Sequence, residues 1–190
     1  MKEEELLHLM TELEALLRGH FLLSSGLHSD TYFQCAKILQ FPELARELGH
    51  QIAQRFETPD FDLVVSPAMG GILIGHEVAR AIGRRFIFTE RVDKKMTLHR
   101  GFALNKGEKV LLVEDVITRG TSVREVMEVI EASGGVVAGL ACVVDRTGGT
   151  ANLPLPINSL TQVTVATYEP DSCPLCGEGN EAIKPGSRGN

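Results

Sequence analysis

The chain has 190 residues, 43% of them hydrophobic and 23% charged, the size and balance of one globular domain or a domain with a small appendage. No run reaches the roughly 18 apolar residues that a membrane span needs, and Lys2-Glu3-Glu4-Glu5 is not followed by a secretory h-region, so a cytoplasmic protein is expected. The net charge of −6 argues against general nucleic-acid binding, while leaving room for a small anion held by local positive charge such as Arg91, Lys94, Lys95 and Arg100.

Taken in chain order, residues 3–18 read as an amphipathic helix, with Leu6, Met10, Leu13 and Leu17 at helical spacing and Gly19 to end it. Pro42 suits the first turn of a second helix whose apolar face is Leu44, Leu48, Ile52 and Phe56, with Pro59 beyond its end. Residues 63–65 form a short buried strand, Gly70-Gly71 leads into a helix over 72–82, and 85–89 is the next strand. A charged loop covers 90–100, a short strand is expected at 102–104, and Asn105-Lys106-Gly107 is a turn. Strand 109–113, helix 122–132, the stop Gly134-Gly135 and strand 136–144 follow, and the Gly- and Pro-rich tail from Pro170 reads as irregular. Strands alternating with helices predict an α/β fold with a mainly parallel sheet. Ligand sites in such sheets lie beyond the carboxyl ends of the strands. Ala68-Met69-Gly70-Gly71, Glu114-Asp115 and Asp145-Arg146 all fall at such ends, so they are expected to face one crevice.

The most informative string is Val110 to Ser122. A hydrophobic strand runs into Glu114 and Asp115, then Val116 and Ile117, then Thr118-Arg119-Gly120-Thr121-Ser122 at the start of a helix. Such a loop offers free amides and a positive dipole end to a phosphate, and two acids beside it suit sugar hydroxyls or a metal. Either half alone is commonly no more than a helix cap or a solvated acidic turn; the combination reads as a phosphosugar site. It lacks the glycine and lysine spacing of a P-loop.

This string resembles the phosphoribosyl pyrophosphate (PRPP) motif of the type I phosphoribosyltransferases. The resemblance implies that fold, with residues 1–40 as an N-terminal helix and hood, 41–168 as the core and 169–190 as a separate tail. It implies that the amides and hydroxyls of Thr118 to Ser122 hold the 5′-phosphate, that Glu114 and Asp115 hold the ribose hydroxyls, and that Met69, Gly70 and Gly71 form a pyrophosphate loop. Mg²⁺, bound mainly through PRPP, is the implied cofactor.

Residues 19–34 and Asp145-Arg146 are similar to those of the orotate-specific members. There Tyr32 and Phe33 would flank the base, with Thr118 within reach of it, and Arg146 would meet the orotate carboxylate. Stacking on a planar pyrimidine and a planar guanidinium fork on a carboxylate are both physically apt. Residues 89–101 resemble the mobile catalytic loop, with Arg91 and Lys95 at its charged positions, and imply a homodimer in which loop 90–100 is shared between subunits. The chain departs from the pattern at Met69 and Gly70, where many orotate enzymes carry an aromatic residue and a lysine, and at Ser24, often a lysine; an arginine also splits the His-Gly pair at His99-Arg100-Gly101. A purine- or uracil-specific relative and a non-catalytic PRPP-binding regulator are the alternatives. Cys35 and Cys142 are expected to be buried thiols. Cys173-Pro174-Leu175-Cys176 has zinc-knuckle spacing, but a structural site wants four ligands and there is no second such pair, unless a dimer pools two.

Overall fold

The computed structural model describes residues 1–23, 25–56, 60–177, 179 and 181–185; Ser24 and Pro59, singled out above, lie outside these residues. In chain order the elements are α1 (Glu3–Glu12), β1 (Leu16–Leu22), β2 (His28–Phe33), α2 (Ala36–Leu39), α3 (Pro42–Ala53), β3 (Leu63–Pro67), α4 (Gly71–Ile82), β4 (Arg85–Val92), β5 (Lys95–Leu98), β6 (Lys109–Ile117), α5 (Thr121–Ala132), β7 (Val136–Asp145), β8 (Ile157–Gln162), β9 (Thr167–Tyr168) and α6 (Pro174–Gly177).

Six strands form one sheet in the order β5-β4-β3-β6-β7-β8, and all neighbours are parallel except β4 and β5. Parallel strands are covered on both faces, which is why they read as continuous aliphatic runs. Side chains alternate across the sheet. Leu111, Val113, Ala141 and Val143 point to a layer with Leu6, Met10, Leu48, Ile52, Ile74 and Val78, from α1, α3 and α4. Val110, Leu112, Leu140 and Cys142 point the other way, onto Val123, Val126 and Ile130 of α5. Each Leu, Ile, Val or Met among them, fully buried, contributes about 1.5–3 kcal/mol. Gly75 lets α4 lie close on the sheet, since a Cβ there would sit 2.0 Å from Ser66 Oγ. Among the described residues no helix is long and apolar enough to cross a membrane.

A second, antiparallel sheet, in the order β1-β2-β9, forms a hood above the carboxyl ends of the parallel strands. It corrects the expected helix over 3–18. α1 ends at Glu12, Glu14 adopts a left-handed backbone (φ 55°), and Leu16 and Leu17 pair with Phe33 and Tyr32 instead of extending the helix. Cross-strand pairing outweighs helical periodicity there. Glu3 of α1 accepts hydrogen bonds from Thr161 Oγ1 (2.8 Å) and the Gln162 amide (2.9 Å), joining α1 to β8.

Segment 90–100 is also not an open loop. It is a hairpin of β4 with β5, turning at Asp93-Lys94, both with positive φ (49° and 66°), the backbone that two-residue hairpin turns require. No strand forms at 102–104. The tail is not wholly irregular: it holds α6, and Ile183 runs beside Phe21 in a parallel bridge.

Candidate active site

β3, β6 and β7 end together beneath the hood, and the strand order reverses between β3 and β6, the usual place for a ligand crevice. A cavity of about 1240 Å³ opens there. Its walls include Tyr32 and Phe33 from the hood, Met69 and Gly70 before α4, Asp115 and Val116 on β6, Thr118 and Arg119 after it, and Arg146 after β7. Leu22 and Leu23 of the hood and Lys184 and Pro185 of the tail close one side. The last two were not anticipated; nothing local in the tail marks them as pocket residues.

The two acids lie within β6, not beyond it, because the strand continues to Ile117. Alternation starts the two side chains on opposite faces of the sheet, but the Glu114 carboxyl reaches back to within hydrogen-bonding range of the Asp115 side chain. Glu114 is buried, and its Oε1 accepts the Asp115 amide at 3.2 Å. Desolvation, reinforced by the charge of Asp115, pushes the Glu114 carboxyl well above the usual range. Asp115 faces the cavity, with Oδ1 accepting the Val116 amide at 2.8 Å. A Cβ at Gly70 would lie 2.6 Å from Asp115 Oδ2, so any side chain at position 70 competes with that carboxylate for space. This gives a physical reason for glycine where a lysine was expected. The Ala68–Met69 peptide is cis, and Met69 is 83% exposed at the mouth.

Thr118 to Gly120 form the turn into α5. Gly120 has φ 71° and a Cβ there would meet Leu153 at 3.0 Å, and no side chain caps the helix. Arg124 ties the turn down, donating to the carbonyls of Arg119 (3.0 Å) and Asn152 (2.7 Å). The uncapped start of a 12-residue helix beside the cavity can receive an anion. Glu114, Gly71, Ile117, Gly120, Thr121 and Ser122 do not themselves line the cavity; Ile117 is core.

Arg146 is the most telling side chain. Its guanidinium lies 5.9 Å from the Phe33 ring centre, and Nη2 donates a long bond of 3.5 Å to the Thr31 carbonyl. Nε is buried and has no hydrogen-bond partner among the described residues. Burial draws its pKa down from the ordinary arginine value. It is not paired with its neighbour Asp145, which instead accepts the Thr147 amide (2.8 Å) and hydroxyl (2.7 Å). A part-buried cation short of partners on a pocket wall is suited to an anionic ligand. Tyr32 is half-buried, its hydroxyl donating to Gln34 Oε1 at 3.0 Å, and burial raises its pKa.

The Arg91 and Lys95 side chains stand apart. Neither lines the cavity of its own chain. Arg91 is bound to Glu125 of α5 (Nη1 to Oε1, 3.2 Å), and Lys95 is exposed. Glu90 holds the hairpin base, accepting from His99 Nδ1 (3.0 Å) and Arg100 Nε (2.9 Å).

Residues 34–154 match the family model described as "Phosphoribosyl transferase domain". The orotate phosphoribosyltransferase of Desulforamulus reducens is 52% identical over 188 residues, which span 99% of this chain and 98% of that protein. The chain belongs to the orotate phosphoribosyltransferase family. Its fold agrees with that of solved members. The Aeropyrum pernix orotate phosphoribosyltransferase superposes with a TM-score of 0.67 at 24% identity, over 83% of this chain and 93% of that one. The enzyme of Mycobacterium tuberculosis, solved with inorganic phosphate, gives 0.66 at 25% identity over 85% and 95%. The type I phosphoribosyltransferase fold expected from the 110–122 string is therefore present, and the family is that of transferases acting in pyrimidine biosynthesis.

Proposed function

We propose that the chain transfers phosphoribose from PRPP to orotate, giving orotidine 5′-monophosphate and pyrophosphate. The single observation that carries the choice of base is the Arg146 guanidinium, part-buried beside Phe33 with its buried Nε unpartnered among the described residues on the cavity wall. Orotate bears a carboxylate for it and a flat ring for Tyr32 and Phe33; adenine, guanine and uracil bear no such carboxylate.

In this reading the amides around Thr118 to Ser122 receive the 5′-phosphate, Asp115 holds the ribose hydroxyls, and the backbone of Met69, Gly70 and Gly71 faces the pyrophosphate. Breaking the C1–oxygen bond leaves positive charge on the ribose and negative charge on pyrophosphate. The site's work is to position the orotate nitrogen and stabilise that separation, without a covalent protein intermediate. The donor set fits Mg²⁺: an oxygen ligand, Asp115, stands in the space that glycine leaves at position 70. Asp115 would hold the ion together with substrate oxygens, and the ion would supply neutralisation of the pyrophosphate charge. Glu114, buried and pushed toward its neutral form, acts by fixing the Asp115 backbone.

Arg91 and Lys95 would neutralise the leaving pyrophosphate. Their distance from their own chain's cavity supports a homodimer in which hairpin 90–100 serves the partner's site. The reading places the chain in the cytoplasm, where the buried thiols Cys35 and Cys142 stay reduced.

The test is product formation from PRPP and Mg²⁺ with orotate, uracil, adenine or guanine supplied singly. Turnover with orotate alone is expected. Turnover with a purine or uracil in its place would refute the assignment.

A further inference from the structure

Away from the cavity, four ligating side chains converge where the hood meets the tail. His20 lies on β1, His28 begins β2, and Cys173 and Cys176 bracket the first turn of α6. His20 Nε2 is 2.8 Å from His28 Nδ1, 3.6 Å from Cys173 Sγ and 3.8 Å from Cys176 Sγ, and Cys176 Sγ is 3.3 Å from His28 Nδ1. All four ligand atoms lie within 4.8 Å of one another. Tetrahedral zinc, with Zn–N of about 2.0–2.1 Å and Zn–S of about 2.3 Å, sets N···N near ~3.3 Å and N···S near ~3.6 Å. The four measured separations fall within about half an ångström of those edges. His20, His28 and Cys173 are buried, and Cys176 closes the rim.

We propose that His20, His28, Cys173 and Cys176 form a structural Zn²⁺ site within each chain. Two thiolates and two imidazoles select zinc over hard cations, and four protein ligands leave no open position for catalysis. The site has a mechanical use. Just beyond it, Ile183 N donates to His20 O and Leu22 N to Ile183 O, each at 2.8 Å. The same stretch then delivers Lys184 and Pro185 to the cavity wall. Zinc would therefore staple the tail to β1 and fix that wall. This inference does not depend on which base the enzyme uses, and its test reads metal directly.

The full chain, purified without a metal-affinity tag and dialysed, is analysed by plasma mass spectrometry; roughly one zinc per chain is expected. The Cys173→Ser/Cys176→Ser double variant should lose it. Because that variant could misfold, chelated wild-type protein is also titrated with Co²⁺ under reducing conditions, where a thiolate-to-cobalt charge-transfer band and tetrahedral ligand-field bands are expected. Zinc retained by a folded double variant, a Cys173–Cys176 disulfide in metal-free native protein, or absence of the cobalt bands would overturn the proposal. Orotate turnover is scored separately, so failure of one reading leaves the other standing.

Discussion

Burial of Glu114 has a consequence for stability as well as for the site. Its folded pKa lies above the unfolded value near 4.5, so the folded state keeps a proton that the unfolded state releases. The carboxyl's contribution is fully present below that unfolded value and is lost as pH rises toward the folded one. Glu114→Gln should therefore match the parent in stability at acid pH and exceed it increasingly above about 4.5, as followed by urea unfolding across pH. An unchanged difference across that range would mean that Glu114 is ionised in the fold. Arg146→Ala should raise the orotate KM by roughly 10- to 100-fold, the worth of about 1.5–3 kcal/mol for a charge-assisted bond, with the PRPP KM little changed. Steady-state kinetics varying each substrate would separate the two effects. Both residues were legible because each sits in a short string at a strand end, where chemistry and neighbours coincide in sequence.

Elements were less legible than residues. The aliphatic runs at 63–65, 110–113 and 136–144 announced their strands because parallel strands are apolar on both faces. β8 and the hood strands carry mixed polarity and gave no such signal. α1 was read six residues too long because Leu16 and Leu17 continue a helical stripe; only their partners Phe33 and Tyr32, distant in sequence, make them a strand. In the 85–98 hairpin, Asp93-Lys94 takes a backbone that glycine or asparagine usually announces, so composition suggested a loop. The hairpin's separation from its own cavity leads to a mixing experiment. Lys95→Ala is expected to be nearly inactive, and Arg146→Ala nearly so when assayed at orotate well below its raised KM. Reassociated together, they should recover about a quarter of parental activity if the hairpin serves the neighbouring subunit, since half of random dimers then contain one intact site. If each hairpin serves its own chain, mixing recovers nothing.

For the whole molecule, the unread part is what distant segments do together. His20 and His28 carry no motif, and they became ligand candidates only when the fold placed them beside Cys173 and Cys176. Lys184 and Pro185 entered the cavity wall for the same reason. Truncation after Glu169 should accordingly leave β6 and β7 protected from amide hydrogen exchange while the Leu22 amide, which donates to Ile183, loses protection. Equal loss in β6 would mean that the tail supports the core and not only the hood. The pairing of His28 with Tyr168, and of Phe21 with Ile183, also sets an order of events during synthesis. Strands β3, β4, β6 and β7 are translated before either partner exists, so a nascent chain can bury its parallel core while its crevice still lacks a wall. Substrate can stabilise the finished polypeptide, but it has no complete site to grip on one still leaving the ribosome.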